Sequence, residues 1–497
     1  MTSYLPEPIA STPGRHQPAP PPGCPAHDAT GSTGPGGLVR LYGPAYGSDP
    51  AGVFERLRQQ HGAVAPVLLQ GDVPAWLVLA YDENMLAART PSRFSRDSRN
   101  WRHWQDDVIA ADSPLAPVLT WRPDCVSQDG AEHQRLRAAV TEGLARFDRR
   151  GIRRHIQRFA NQLIDQFAGT GSTDLLTQYA QHLPMLVLTH LFGMPEEEGP
   201  RLVEASTELV KGTEAAVVHN AYIMDTLRRL VEHKKKSPGH DFTSWLLEHH
   251  SRLTDDEVLH HLWLVMLTAN ESVTNLVANT LRVVLTDPRF RASLAGGLMT
   301  VPDAVEQVLW DEPPVMTCVG GYATTDTELG GRRIRAGDLL LLGLAAGNTD
   351  PLIRPDPSAP VHGNRSHLAF SRGPHECPGQ DIGRAITDIA VDTLLVRLPD
   401  ARLGVAENEL SWTSSTWSRH LNHLPVIFTP LRPVSPDEAA DAPHRPVHHR
   451  QAAAATAAGA EILIRTQPQP APTAASGDLP ARRSRWLPLW RRLRHRR

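Results

Sequence analysis

The apolar positions of this chain change period as it is read. Val64-Ala65-Pro66-Val67-Leu68-Leu69 and Ala75-Trp76-Leu77-Val78-Leu79 read as two strands joined by the turn residues Gln70-Gly71-Asp72. Spacings of three and four residues then take over. Thr254-Asp255-Asp256-Glu257 is a capping-box signature and predicts a helix start. Its apolar stripe runs through Leu262, Val265, Met266 and Leu276 to about Leu285, short of Pro288. At roughly 30 residues this is long for a globular helix, so it is expected to cross the whole domain. A further helix is predicted just after Cys377, with Ile382, Ala385, Ile386 and Ile389 as its stripe. The pattern predicts a mostly α fold with a small β region.

Proline divides the chain into parts. Of 43 prolines, nine precede Val39 and nine follow Pro430. Residues 1–40 therefore read as a disordered Pro/Gly-rich leader, 431–480 as a Pro/Ala-rich linker, and 41–430 as one continuous domain. Hydrophobic residues make up 40% and charged residues 21%, which excludes a wholly disordered, collagenous or coiled-coil chain. Cys24, Cys125, Cys318 and Cys377 are too few and too scattered for a disulfide scaffold. No apolar run approaches the roughly 20 residues a bilayer requires, and Met1–Pro8 lacks a secretory pattern. A cytoplasmic, reduced protein is expected.

The net charge of −3 hides an asymmetry. Residues 481–497 hold eight arginines and no acid, leaving 43 basic against 54 acidic residues elsewhere, a balance of −11. Trp486, Trp490 and Leu493 interleave with those arginines. The composition suits an anionic membrane surface or an acidic regulatory protein, and equally a solubilising tail; no specific nucleic acid is expected.

Three segments carry candidate chemistry. Phe370-Ser371-Arg372-Gly373-Pro374-His375-Glu376-Cys377-Pro378-Gly379 delivers a cysteine to a helix N-terminus, where unpaired N–H groups favour a thiolate. Gly373 and Gly379 allow the backbone close to a flat group, and the alternative is a buried free thiol in a Gly-rich turn. Thr268-Ala269-Asn270-Glu271-Ser272 puts a carboxylate and a hydroxyl inside an apolar helix, which is expensive unless they are used or satisfied. A salt bridge from Glu271 to a distant arginine is the plain alternative. In Asp129-Gly130-Ala131-Glu132-His133-Gln134-Arg135-Leu136-Arg137, His133 and Arg137 lie four apart and share a helix face. An ordinary solvated helix has the same spacing.

The cysteine loop resembles the haem-binding signature of the cytochrome P-450 family, and the resemblance extends over about residues 41–430. It implies the family's triangular fold, haem b (iron protoporphyrin IX) as cofactor, and Cys377 as the thiolate ligand of its iron. Phe370, Gly373, His375 and Gly379 would line the cofactor, and His133 and Arg137 would hold its propionates. Ala269 would leave room for dioxygen, Glu271 would feed protons, and Ser272, in place of the family's usual threonine, would hydrogen-bond the oxygen. The implied reaction is monooxygenation of an unidentified small organic substrate, with electrons from a separate ferredoxin and ferredoxin reductase. The alternative is a haem-binding regulatory or scaffold protein in a membrane-associated signalling complex.

The resemblance breaks at two places. In Ala304-Val305-Glu306-Gln307-Val308-Leu309-Trp310, Gln307 and Trp310 stand where the family has the glutamate and arginine of its Glu-x-x-Arg motif. Glu306 is one residue off, about 100° around the helix, so the family's buried Glu-Arg-Arg network is expected to be missing. Gly321 stands where the family usually has a propionate-binding arginine. Arg372 and Arg384, flanking the cysteine loop, are expected to meet an acidic electron donor. The stretch around Trp101-Arg102-His103-Trp104 is expected to contribute to substrate specificity.

Overall fold

The structure, a computed structural model, describes residues 33–431 except 106–112, 114, 212–215, 288–289, 291–295, 297–298, 357–358, 360 and 362. The leader before residue 33, the linker beyond Leu431 and the basic tail lie outside the described residues. Five helices position the site: α1 (Gly130–Ala145), α2 (Arg149–Phe167), α3 (Asp255–Thr286), α4 (Val301–Asp311) and α5 (Gln380–Arg397).

The long helix α3 starts as its sequence predicts. Thr254 Oγ1 accepts from the Glu257 N–H at 3.2 Å, and the Glu257 carboxylate accepts from the Thr254 N–H at 2.7 Å. Two of the four orphan N–H groups of the first turn are thereby satisfied. Helix α5 packs against α2, α3 and α4. Phe159 and Ile164 of α2, Val277 and Leu281 of α3, and Ile386 and Ala390 of α5 share one buried core. Burial of each large apolar side chain there contributes about 1.5–3 kcal/mol. Gly383 faces Val273, where an added Cβ would reach 3.7 Å, so α5 and α3 meet closely beside the cysteine loop.

A six-stranded sheet is built from strands that precede α1 and from two that lie between α4 and α5. Its strands are β1 (Val39–Arg40), β2 (Val64–Leu69), β3 (Val73–Val78), β4 (Phe94–Ser95), β5 (Thr317–Ala323) and β6 (Leu339–Gly343), ordered β1-β2-β3-β6-β5-β4. The β2–β3 hairpin is antiparallel from Val64↔Val78 to Leu69↔Val73. Gly71 and Asp72 both take positive φ in its turn. The Asp72 carboxylate accepts from Arg40 at 2.7 and 2.8 Å and from Tyr42 Oη at 2.5 Å. Val39–Arg40, which composition assigns to the leader, is thus a strand paired in parallel with β2. The Leu339–Leu342 run is a central strand, parallel to β3 and antiparallel to β5, with every residue buried. Burial of both faces is what removes alternation from such a strand.

Trp101 does not face a substrate space. It is fully buried with its ring 5.8 Å from Tyr322, and Arg102 pairs with Asp338 at 2.5 Å. An indole has too much apolar area to leave at the surface once a sheet edge is there to cover it. Trp104 is not described at side-chain level. Among the described residues, no helix is long and apolar enough to cross a membrane.

Candidate active site

The segment from Phe370 to Gly379 is a tight double turn. The Cys377 N–H donates to the Phe370 carbonyl at 2.9 Å, and the Glu376 N–H to Gly373 at 3.1 Å. Gly373 has φ +75°, and a Cβ there would lie 2.4 Å from the Ala88 carbonyl oxygen, so glycine is required at that turn. Gly379, the N-cap of α5, is under no such demand: a Cβ there would meet only Cys377 Sγ, at 3.9 Å. Burial pushes the Cys377 thiol up, and the Gly379 N–H works against it. The helix end alone therefore does not make a thiolate here. A metal cation would, because its charge outweighs desolvation.

His133, Arg137 and His375 come together around one hollow of about 530 Å³ between α1 and the cysteine loop, with Asp129 on its wall. The rings of His133 and His375 are 4.2 Å apart. Asp129 holds the corner, accepting from Ser95 Oγ at 2.7 Å and the Arg96 N–H at 2.8 Å, with His375 Nε2 at 3.2 Å. Burial pushes His375 down to about 4 despite Asp129, and pushes His133 down as well. His133 Nε2 and His375 Nδ1 are buried with no hydrogen-bond partner. Two orphaned ring nitrogens at one place are costly without a ligand between them. Arg137 bonds the Glu376 carbonyl and, at 3.2 Å, Thr141 Oγ1.

In the middle of α3, Thr268 is exposed and Ala269, Glu271 and Ser272 are half-buried, while Met266 and Asn270 are buried. The middle of α3 is thus open on one side. Glu271 pairs with no arginine among the described residues. Its carboxylate accepts from Ser418 Oγ at 2.8 Å, 147 residues away. Burial holds the Glu271 carboxyl above the ordinary value, against that hydrogen bond. Ser418 carried no signal in the sequence; it reaches Glu271 from the turn between Trp412–Ser414 and Arg419–Leu421, which pair with each other. The Ser272 hydroxyl makes no hydrogen bond among the described residues.

The departures have physical reasons. A buried carboxylate–arginine network does exist, built from other residues. Glu306, on the flank of α4, accepts from Arg384 Nε at 2.6 Å, with Arg365 Nε at 3.2 Å and His367 Nε2 at 3.0 Å. Burial opposes the charge on Glu306, but the hydrogen bonds of His367 and Arg384 hold its carboxyl below the ordinary value. Arg384 is therefore not at the surface to meet an electron donor. It is buried, and its guanidinium lies 4.5 Å from the Phe370 ring centroid. Arg372 is also committed: it donates to Glu376 at 2.9 Å and to the carbonyls of Arg365 and His367 at 2.9 and 2.8 Å. Trp310 is buried and its Nε1–H donates to the Asn364 carbonyl at 2.8 Å. Gln307 uses both ends of its amide, donating to Asp311 at 2.8 Å and accepting from the Val361 N–H at 3.1 Å. Gly321 sits at a bulge with φ +135°, where a Cβ would lie 2.6 Å from the Phe94 carbonyl oxygen. No arginine fits that backbone.

Comparison with known proteins agrees with this architecture. The chain is 31% identical over 396 residues to 2-hydroxy-5-methyl-1-naphthoate 7-hydroxylase of Streptomyces carzinostaticus, covering 76% of this chain and 95% of that protein. It is 30% identical to the cytochrome P450 monooxygenase PikC of Streptomyces venezuelae, covering 77% and 92%. A solved structure of CYP154C4 from Streptomyces sp. ATCC 11861 superposes with a TM-score of 0.72 at 27% identity, over 79% of this chain and 98% of that one. No family model matches. The fold and these relatives define a bacterial haem-thiolate monooxygenase. The chain belongs to the cytochrome P450 family. Such enzymes use haem b and take a substrate, dioxygen and electrons from redox partners. The alternative of a scaffold without turnover draws no support from these relatives.

The residues present suit that cofactor. A cysteine stands free of any disulfide at a helix end, two histidine nitrogens lack partners beside it, and the facing helix is open at Thr268.

Proposed function

We propose that Cys377 would hold the haem iron through its thiolate, with Phe370, Gly373 and Gly379 shaping the loop that presents it. His133, Arg137 and His375 bind the propionates. Bound there, haem supplies the one-electron and oxygen chemistry of monooxygenation, with the thiolate as electron donor to iron. The chain's own residues do the rest. Arg384, clamped by Glu306, fixes the Phe370 ring against the sulfur loop. Glu271 is the proton carrier: burial lets its carboxyl keep a proton to higher pH than an ordinary carboxyl, and Ser418 orients it. Ala269 keeps the space beside it small but open, and Ser272 contributes the hydroxyl. The observation that carries this reading is the pair of orphaned histidine nitrogens beside a half-buried free cysteine just before α5.

Reduced protein exposed to carbon monoxide tests it. The absorption spectrum of a thiolate-ligated haem is expected, and Cys377→Ala should abolish that signature. A wild-type spectrum from Cys377→Ala would remove the assignment. We further infer electron delivery by a ferredoxin and its reductase in the cytoplasm. The Arg/Trp composition of residues 481–497 supports a peripheral contact with anionic membrane or a regulatory protein. Full chain should sediment with anionic vesicles, and a chain ending at 480 should not; equal sedimentation would remove the contact.

A further inference from the structure

Arg96 is a half-buried cation that the sequence did not single out. It follows strand β4, whose register with β5 pairs Phe94 with Ala323 and Ser95 with Tyr322. Continuing that register sets Arg96 across from Gly321. Directly opposed residues of an antiparallel pair project to the same side, and Gly321 has no side chain to occupy that side. Nor can one be added there, because the strands approach too closely. The Arg96 backbone is pinned by its N–H to Asp129, the residue that also holds His375.

Its guanidinium lies near Cys318 and the His133 ring. No carboxylate pairs with it among the described residues. The groups that line the hollow are partly engaged: Arg137 with Glu376 and Thr141, His375 with Asp129. Haem brings two carboxylates, and a half-buried cation without a counter-ion is costly until one arrives.

We propose that Arg96 is a propionate-binding residue of this protein, supplying from the β4 side the cation that Gly321 cannot. This rests on the haem reading of the hollow. A planar fork of five donors engages a carboxylate in two bonds, which an ammonium does not reproduce.

The test is the rate of haem loss to excess apomyoglobin, followed by absorbance. Arg96→Gln keeps a polar side chain of similar length and should release haem at least tenfold faster than wild type. Arg96→Lys should fall between them, and Arg99→Ala, at an exposed arginine paired with Asp97, should match wild type. With haem dimethyl ester, whose propionates carry no charge, wild type and Arg96→Gln should release at rates within twofold. The melting temperature of the haem-free proteins shows whether the variant is folded. Equal release of natural haem by wild type and Arg96→Gln overturns the proposal. So does a tenfold gap that persists with the ester, because Arg96 then acts through the fold. A wild-type spectrum from Cys377→Ala would instead remove the haem reading beneath it.

Discussion

Replacing Glu306 by glutamine keeps its shape and removes its charge. In the wild type one carboxylate, 2% exposed, faces Arg384 at 2.6 Å, His367 at 3.0 Å and Arg365 at 3.2 Å. Arg365 is largely exposed and can turn to water; Arg384 is buried and cannot. The variant therefore strands a buried guanidinium. Breaking a buried pair from one side costs about 3–5 kcal/mol. With an unfolding entropy of about 2.1 cal/mol/K per residue over roughly 400 residues, that lowers Tm by about 4–6 °C. The pH dependence has a fixed sign. The folded Glu306 carboxyl lies below its ordinary value, so its contribution is fully present above the unfolded pKa of about 4.3 and is lost as pH falls through the folded one. The gap between wild type and Glu306→Gln should be constant from pH 7 to 5 and close below pH 4. Scanning calorimetry across that range measures it. Replacing Glu306 and Arg384 together by methionine should recover more than half of the loss, since no charge is left unpaired. A fall of under about 1 °C at pH 7, or a gap unchanged in acid, would refute the argument.

Restoring the family residues at Gln307 and Trp310 should harm the protein. Gln307→Glu loses the donor to Asp311 and sets two carboxylates together, and Trp310→Arg buries a cation near Arg354; each should cost at least about 2 kcal/mol in denaturant unfolding. Asp388→Asn should stabilise. Burial pushes that carboxyl up to about 6, so the folded state resists its charge; the penalty is absent below about pH 3.9 and full above 6. Discounted for its partial exposure, the gain at pH 7 is about 1–2 kcal/mol, and equal stability of the two proteins at pH 7 would contradict it. Gly321→Ala should lose about 2 kcal/mol or more, read as a lower Tm, because its Cβ would meet the Phe94 carbonyl at 2.6 Å.

The elements themselves were legible in the sequence because their causes are local. A capping box closes over three residues, a helix stripe repeats within four, and a strand pair needs only alternation and a turn. The capping pair of Thr254 and Glu257, the stripe of α5 and the β2–β3 hairpin all fall in that range. The cysteine loop was legible for the same reason. What only the tertiary structure decided is which distant residues meet. Glu306 finds Arg384 78 residues away, and Glu271 finds Ser418 at 147. Arg96 stands opposite Gly321 through a strand register. Ion pairs and hydrogen bonds between distant segments leave no period in the chain, since each depends on where two elements happen to pack. The same physics reversed two expectations: Arg384 is an interior clamp rather than a surface cation, and a buried ionic network is present although its usual residues are not.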